Sequence, residues 1–166
     1  MSQAERWINE LQLRPHPEGG YFRETYRCDE VVARAHLPSR FRGDRSFSTA
    51  IYFLLDGADF SALHRIQQDE VWHHYDGSSV TIEVISAAGN HSAVLLGRNL
   101  GGGERPQTVI KGGCLFGAFL NNPLSYALVG CTVAPGFDFD DFTTPGRKEL
   151  LEQYPQHRQI IERLTR

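Results

Sequence analysis

The residues equipped for chemistry gather in one stretch, His64-Arg65-Ile66-Gln67-Gln68-Asp69-Glu70-Val71-Trp72-His73-His74-Tyr75-Asp76-Gly77, where titratable groups interrupt an otherwise apolar, strand-like pattern. An imidazole beside a carboxylate can move a proton or help to hold a metal ion. Two short β runs, 60–66 and 70–76, flank the polar Gln67-Gln68-Asp69, a length that closes a hairpin. Side chains alternate along a strand, so His64 and Ile66 share one face, and Glu70, Trp72 and His74 share one face of the next run. Val71, His73 and Tyr75 point the other way, and His73 and His74 cannot both enter one cavity without a bulge. His64 and Glu70 are the catalytic candidates, with Trp72 as a stacking wall and His74 as a further ligand-binding group.

The elements that must position these groups are strands. The N-terminus reads as a short amphipathic helix over 3–13: Ser2 and Glu5 have capping-box spacing, Trp7, Ile8 and Leu11 follow at helical spacing, and Pro15 and Pro17 stop it. Gly19-Gly20 turns the chain into the alternating run 21–27. There Phe22, Glu24 and Tyr26 share a face and are ligand-binding candidates, with Tyr21, Arg23 and Thr25 as the alternative lining. Residues 29–45, charged and interrupted by proline, read as a long surface loop of the kind that orders against a partner or ligand. Strands are predicted at 46–55, which carries the candidate Tyr52, and at 81–87, 91–96, 107–111, 115–120 and 126–134. The turns between them are rich in Gly, Asn and Asp, and about nine strands at short intervals suit a sandwich or barrel. Gly101-Gly102-Gly103 lacks the following Lys-Ser or Lys-Thr of a phosphate loop and reads as a turn. A helical tail over 146–165 is interrupted at Pro155.

Asp138, Asp140 and Asp141 alternate with Phe137, Phe139 and Phe142. They read either as a solvated turn or as the source of an acid that orients His64. A calcium loop is rejected, because Phe142 and Thr143 stand where an oxygen ligand and a glycine are required.

Composition narrows the classes. A chain of 166 residues with 40% hydrophobic and 22% charged residues suits one soluble domain with a real core. A net charge of −3 and scattered arginines give no field for a phosphate backbone, so nucleic acid is not an expected partner. Cys28, Cys114 and Cys131 match no zinc or redox spacing and read as reduced thiols. With no long apolar stretch, the expectation is a cytoplasmic protein without membrane contact.

His64, Ile66, Glu70 and Gly77 match the spacing of the first cupin motif, and Ile110-Lys111-Gly112-Gly113-Cys114-Leu115 resembles the second. The runs His16-Pro17-Glu18-Gly19-Gly20-Tyr21-Phe22-Arg23-Glu24-Thr25-Tyr26, Asp69-Glu70-Val71-Trp72-His73 and 134–142 resemble a small uncharacterised branch, the cupin-5 type. The resemblance implies an all-β, double-stranded β-helix (jelly-roll) barrel over 20–142, usually as a homodimer. It also implies a metal set of three histidines and one glutamate, of which only His64 and Glu70 stand here, Ile66 and Leu115 being apolar at the two other places.

No cofactor is expected from such a set, a divalent transition metal at His64 and Glu70 being the alternative. The first functional reading is a metal-free pocket for a small polar or ring-shaped metabolite. Beside it stand a metal-independent sugar epimerase or isomerase with His64 as base and Tyr52 or Tyr26 as acid, a metal-dependent cupin enzyme, and a structural dimeric barrel without catalysis.

Overall fold

A computed structural model describes all residues, 1–166. Nine strands of four or more residues build the barrel: β2 (Tyr21–Arg27), β5 (Thr49–Asp56), β6 (Phe60–Arg65), β7 (Asp69–Gly77), β8 (Val80–Ile85), β9 (His91–Leu96), β10 (Gln107–Ile110), β11 (Leu115–Leu120) and β12 (Tyr126–Ala134). Three two-residue strands join them: β1 (Arg14–Pro15), β3 (Val31–Val32) and β4 (Arg45–Ser46). A six-stranded sheet, β1-β2-β5-β12-β7-β10, faces a four-stranded sheet, β6-β11-β8-β9, and β3 pairs with β4. Neighbouring strands run antiparallel throughout.

The two inner faces bury one apolar cluster that includes Phe53, Leu55, Trp72, Ile82, Phe116 and Val129. The outer faces are covered from the two ends of the chain. Helix α1 (Gln3–Glu10) lays Ala4, Trp7 and Ile8 on Leu54 and Leu128 of the larger sheet. Helices α2 (Arg147–Gln153) and α3 (Arg158–Arg163), separated by a 3-10 turn at Pro155, pack Leu150 and Ile161, with Leu164 just after α3, on Leu63, Ile85 and Leu115 of the smaller one.

Three local expectations change. The Ser2–Glu5 capping box is present, but α1 stops at Glu10, well short of 13. Gln12 takes the left-handed place after the helix (φ 53°), and the Leu13 N–H donates to the Ile8 carbonyl, so backbone geometry closes the helix before the prolines do.

The runs around Gln67-Gln68-Asp69 form no hairpin, because β6 and β7 lie in different sheets. Gln68 is buried and donates through Nε2 to the Gly136 carbonyl (3.2 Å) and to Asp141 (2.7 Å), which makes the connection a corner between layers. Finally, residues 29–45 hold β3, a 3-10 turn at Arg34–His36 and the buried Arg45. The end of this loop is therefore anchored within the chain itself.

Candidate functional site

A cavity of about 240 Å3 opens at one end of the barrel, between the start of β7, the middle of β2 and the segment 137–142. His64 comes from β6 and Glu70 from β7, and the alternation read from sequence holds along β7: Glu70, Trp72 and His74 are buried while Val71, His73 and Tyr75 are half-buried or exposed. Beneath Glu70 lies Cys131 of β12, whose thiol burial pushes well above its ordinary pKa.

The acid beside His64 is Glu18, from the Pro17-Glu18-Gly19-Gly20 turn. Both glycines have positive φ (108° and 71°), and a Cβ on Gly19 would lie 2.2 Å from the Phe60 carbonyl oxygen, so the chain passes the barrel rim where only glycine fits. The Glu18 carbonyl accepts from Ala62 N–H (2.8 Å), and Gly20 N–H donates to Asp59 (2.8 Å). The turn is thus tied to β6, and it delivers both His16 and Glu18 to the cavity.

Glu18 Oε2 lies 2.7 Å from His64 Nδ1, and the same nitrogen is 2.7 Å from the Ala62 carbonyl. The Nδ1–H points at the carbonyl, and Oε2 has no aligned donor. The carboxylate contact is one of charge at close range. Nε2 has no hydrogen-bond partner in the protein, and the His64 side chain lines the cavity. His16 presents Nδ1 to the Glu18 backbone N–H (3.3 Å).

The charges of this cluster work against one another. Burial disfavours the His64 imidazolium, but Glu18, Glu70 and the Ala62 carbonyl outweigh it and raise its pKa. Burial likewise opposes the Glu18 charge, but His64 and His16 hold its pKa below the usual range. The pKa of His16 is lowered, chiefly by burial and against the attraction of Glu18. Glu70 differs: burial, reinforced by Glu18 and only partly opposed by His64, pushes it up to about 7. Its nearest donors, the Cys131 thiol and the Trp72 indole, favour its charged form, yet neither makes an aligned hydrogen bond, and Trp72 Nε1 is left without a partner.

Of the residues singled out from sequence, the cavity brings together His64, Glu70, Phe22 and Glu24. Four others lie elsewhere. Trp72 is core, packed edge-on against Phe53 and Phe116 at 5.9 and 6.4 Å, and is no stacking wall. His74 is buried further along β7, with Nε2 bonded to the Ser78 carbonyl at 2.9 Å. Tyr52 is on the outer face, against Tyr75 and the cluster under α1. Tyr26 is 52% exposed, because a bulge between Glu24 and Tyr26 shifts the parity of β2. Past that bulge Arg27 takes the inward place, donates to both Glu24 oxygens (3.0 and 2.8 Å) and reaches the Phe137 carbonyl (3.1 Å).

The acid expected from 138–141 is also reassigned, since Asp141 pairs with Arg45 and not with His64. Sequence reasoning missed His16, Glu18, Arg27 and Cys131. The available signal for Glu18 was an acid set directly before two glycines at the entry to a strand.

The metal set that the cupin resemblance implies does not fit this cavity. Ile66 lines it where a ligand would stand, and Leu115 faces outward against the C-terminal helices, Phe116 taking the inward place against His64. No group of three or more His, Cys, Asp or Glu side chains is arranged to hold a metal ion. Nor is any helix long and apolar enough to cross a membrane.

Comparison with known proteins agrees with this architecture. Protein SO0799 from Shewanella oneidensis is 40% identical, with a TM-score of 0.89 over 100% of this chain and 99% of that one. A hypothetical protein from Leishmania major is 34% identical, with a TM-score of 0.90 over 99% of both chains. Uncharacterized protein YML079W of Saccharomyces cerevisiae is 30% identical over 159 residues, 90% of this chain and 79% of its own length. An E162A mutant of Bacillus subtilis oxalate decarboxylase shares the fold alone, at 15% identity and a TM-score of 0.55 over 92% of this chain and 37% of that one. The family model described as cupin superfamily (DUF985) matches residues 5–144, and the chain belongs to that family.

Proposed function

We propose that the cavity binds a small metabolite and transfers a proton on it without a metal, as an isomerase does. The observation that carries this reading is the pair His64 and Glu70, two buried titratable groups on one cavity whose surroundings raise both pKa values, that of Glu70 to about 7. A buried imidazole and a buried carboxyl group perturbed together on one cavity mark a candidate acid and base.

The roles reverse those suggested by sequence. Glu18 stabilises the His64 imidazolium, so Nε2 is the proton donor, while Glu70, half ionised near neutral pH, is the acceptor. One proton leaves the ligand for Glu70 as the Nε2 proton adds to another of its atoms, and solvent restores both groups. No oxidant or further reactant is needed. A volume of about 240 Å3 is below the usual range for drug-sized ligands, so the reacting body is small and a nucleotide portion would lie outside.

The test needs no prior substrate. The protein is incubated with a metabolite extract in deuterium oxide, and compounds that gain one deuterium are sought by mass spectrometry. The expected result is at least one compound labelled by wild type and by neither His64→Asn nor Glu70→Gln. Labelling by none, or equally by all three proteins, would remove the reading.

A further inference from the structure

Charge counted around the cavity gives the same result at its two ends. In the depth, both imidazoles, His64 (2.7 Å) and His16 (3.6 Å), lie against Glu18, and no cation pairs with Glu70. At the mouth, Glu24 and Asp138 face the guanidinium of Arg27, which is held by both Glu24 oxygens and by the Phe137 carbonyl, while the other guanidinium near Asp138, that of Arg45, is taken by Asp141. Each end therefore has one carboxyl group that no protein cation pairs.

The deep one, Glu70, is 8% exposed, opens on the cavity and has no aligned hydrogen bond from the chain. The outer one, Asp138, forms no salt bridge and uses Oδ1 only to accept the Asp140 N–H (2.9 Å). Beside Asp138, Phe137, Phe139 and Phe142 stand edge-to-face with centroids 5.0 to 6.2 Å apart, and Phe139 is 55% exposed. A carboxylate next to aromatic rings favours an organic cation, through charge and through the ring quadrupole. An anion would enter a field of the wrong sign.

We propose that the ligand is a small amine, protonated and attached to an apolar or ring-shaped body, whose ammonium group lies at the cavity mouth against Asp138 and the phenylalanine cluster. This rests on the cavity being the ligand site. It leaves the opposite end of the ligand between His64 and Glu70. Arg27 is then a closing group for Glu24 and not an anchor for phosphate or carboxylate.

The experiment compares three probes of matched shape and different charge, namely benzylammonium, benzyl alcohol and benzoate, by ligand-observed NMR titration of the full chain near neutral pH. Wild type is expected to bind benzylammonium about tenfold more tightly than benzyl alcohol, and benzoate more weakly than either. Asp138→Asn keeps the acceptor for the Asp140 N–H and should bring the ammonium-to-alcohol ratio close to one, with alcohol affinity unchanged within about twofold. Phe139→Leu, at an exposed position that the fold tolerates, should lower the same ratio by about threefold.

If the alcohol or benzoate binds as tightly as the ammonium compound, or if Asp138→Asn leaves the ratio intact, the charge assignment is wrong while the cavity remains the ligand site. If none of the three binds at millimolar concentration, both the assignment and the cavity reading fall.

Discussion

Two buried polar clusters lie on either side of the segment 137–142, and they are built in opposite ways. In the first, Arg45 donates from Nε and Nη2 to the two oxygens of Asp141, both at 2.7 Å, while Gln68 adds a third donor at 2.7 Å and Asp44 supplies a carbonyl for Nη1. Every charged atom of this cluster has a partner, and only the neutral Gln68 Oε1 is left without one. In the second, His64, Glu18 and Glu70 crowd two carboxyl groups on one imidazole, leaving Glu18 Oε2 without an aligned donor and His64 Nε2 without a hydrogen-bond partner. A cluster whose charges are all paired fixes shape, whereas one with unpaired charged groups beside a cavity holds interaction capacity for something else. The first holds the Phe139–Phe142 flap over the second.

The sharpest way to break the comparison is to remove one partner from the satisfied cluster. Arg45→Met leaves the Asp141 charge buried with Gln68 alone, and is expected to cost about 3–5 kcal/mol in chemical denaturation. Replacing both residues with apolar ones of similar volume should return most of that loss, since a buried pair is stabilising mainly against its own half-removal. If the single variant costs under about 1 kcal/mol, the cluster is not the structural member of the two.

The unsatisfied cluster should instead appear in the pH dependence of stability. Glu70 has a folded pKa of about 7 against the ordinary 4.5, so between these values the folded chain holds a proton that the unfolded chain has released. Stability therefore falls as pH rises through this window, by up to ~3 kcal/mol from this group. His64, raised from 6.5, loses stability in the same direction as pH passes its folded value. Glu70→Gln should flatten the decline and make the variant the more stable protein at pH 8, as measured by urea unfolding at pH 5 and pH 8. Parallel profiles for the two proteins would show that Glu70 is not held protonated by its site.

A smaller effect isolates Glu18. Glu18→Gln keeps the turn and removes the charge, so the His64 pKa, followed by its ring proton shifts, should fall below the wild-type value. An unchanged titration would mean that Glu70 and the Ala62 carbonyl set the imidazole without Glu18, and the dyad would be lost.

The contrast also shows what sequence could disclose. Alternation along β7 placed Glu70 inward because that strand is straight over the residues concerned, and the apolar, turn-punctuated rhythm announced a barrel. Elsewhere parity failed for physical reasons. The bulge after Glu24 exchanges Tyr26 for Arg27, and nothing in Glu24-Thr25-Tyr26-Arg27 marks an extra residue. Gln67-Gln68-Asp69 has hairpin length but makes a corner, decided by Asp141 and Gly136, each about seventy residues away, accepting from the Gln68 amide. Glu18 reaches His64 through a turn without period, so pattern reading cannot assign it an inward face. The acids at 138–141 looked suited to orient His64, and it is the distant Arg45 that claims Asp141.

The smallest expected effect concerns an ion pair outside both clusters. Arg27 and Glu24 meet at the cavity mouth with side chains 45% and 35% exposed, so water screens their attraction, and the pair is worth at most about 1 kcal/mol to folding. Glu24→Gln should therefore barely change the unfolding midpoint. Its consequence for the site is larger than its consequence for the fold. With the negative charge gone, the Arg27 guanidinium keeps the Phe137 carbonyl and one neutral amide acceptor, and adds its positive field to the mouth beside Asp138. Binding of benzylammonium should weaken severalfold and binding of benzoate should improve, with stability unchanged within about 1 kcal/mol. A large loss of stability with unaltered charge preference would place Glu24 among the structural groups, on the same side of the comparison as Asp141.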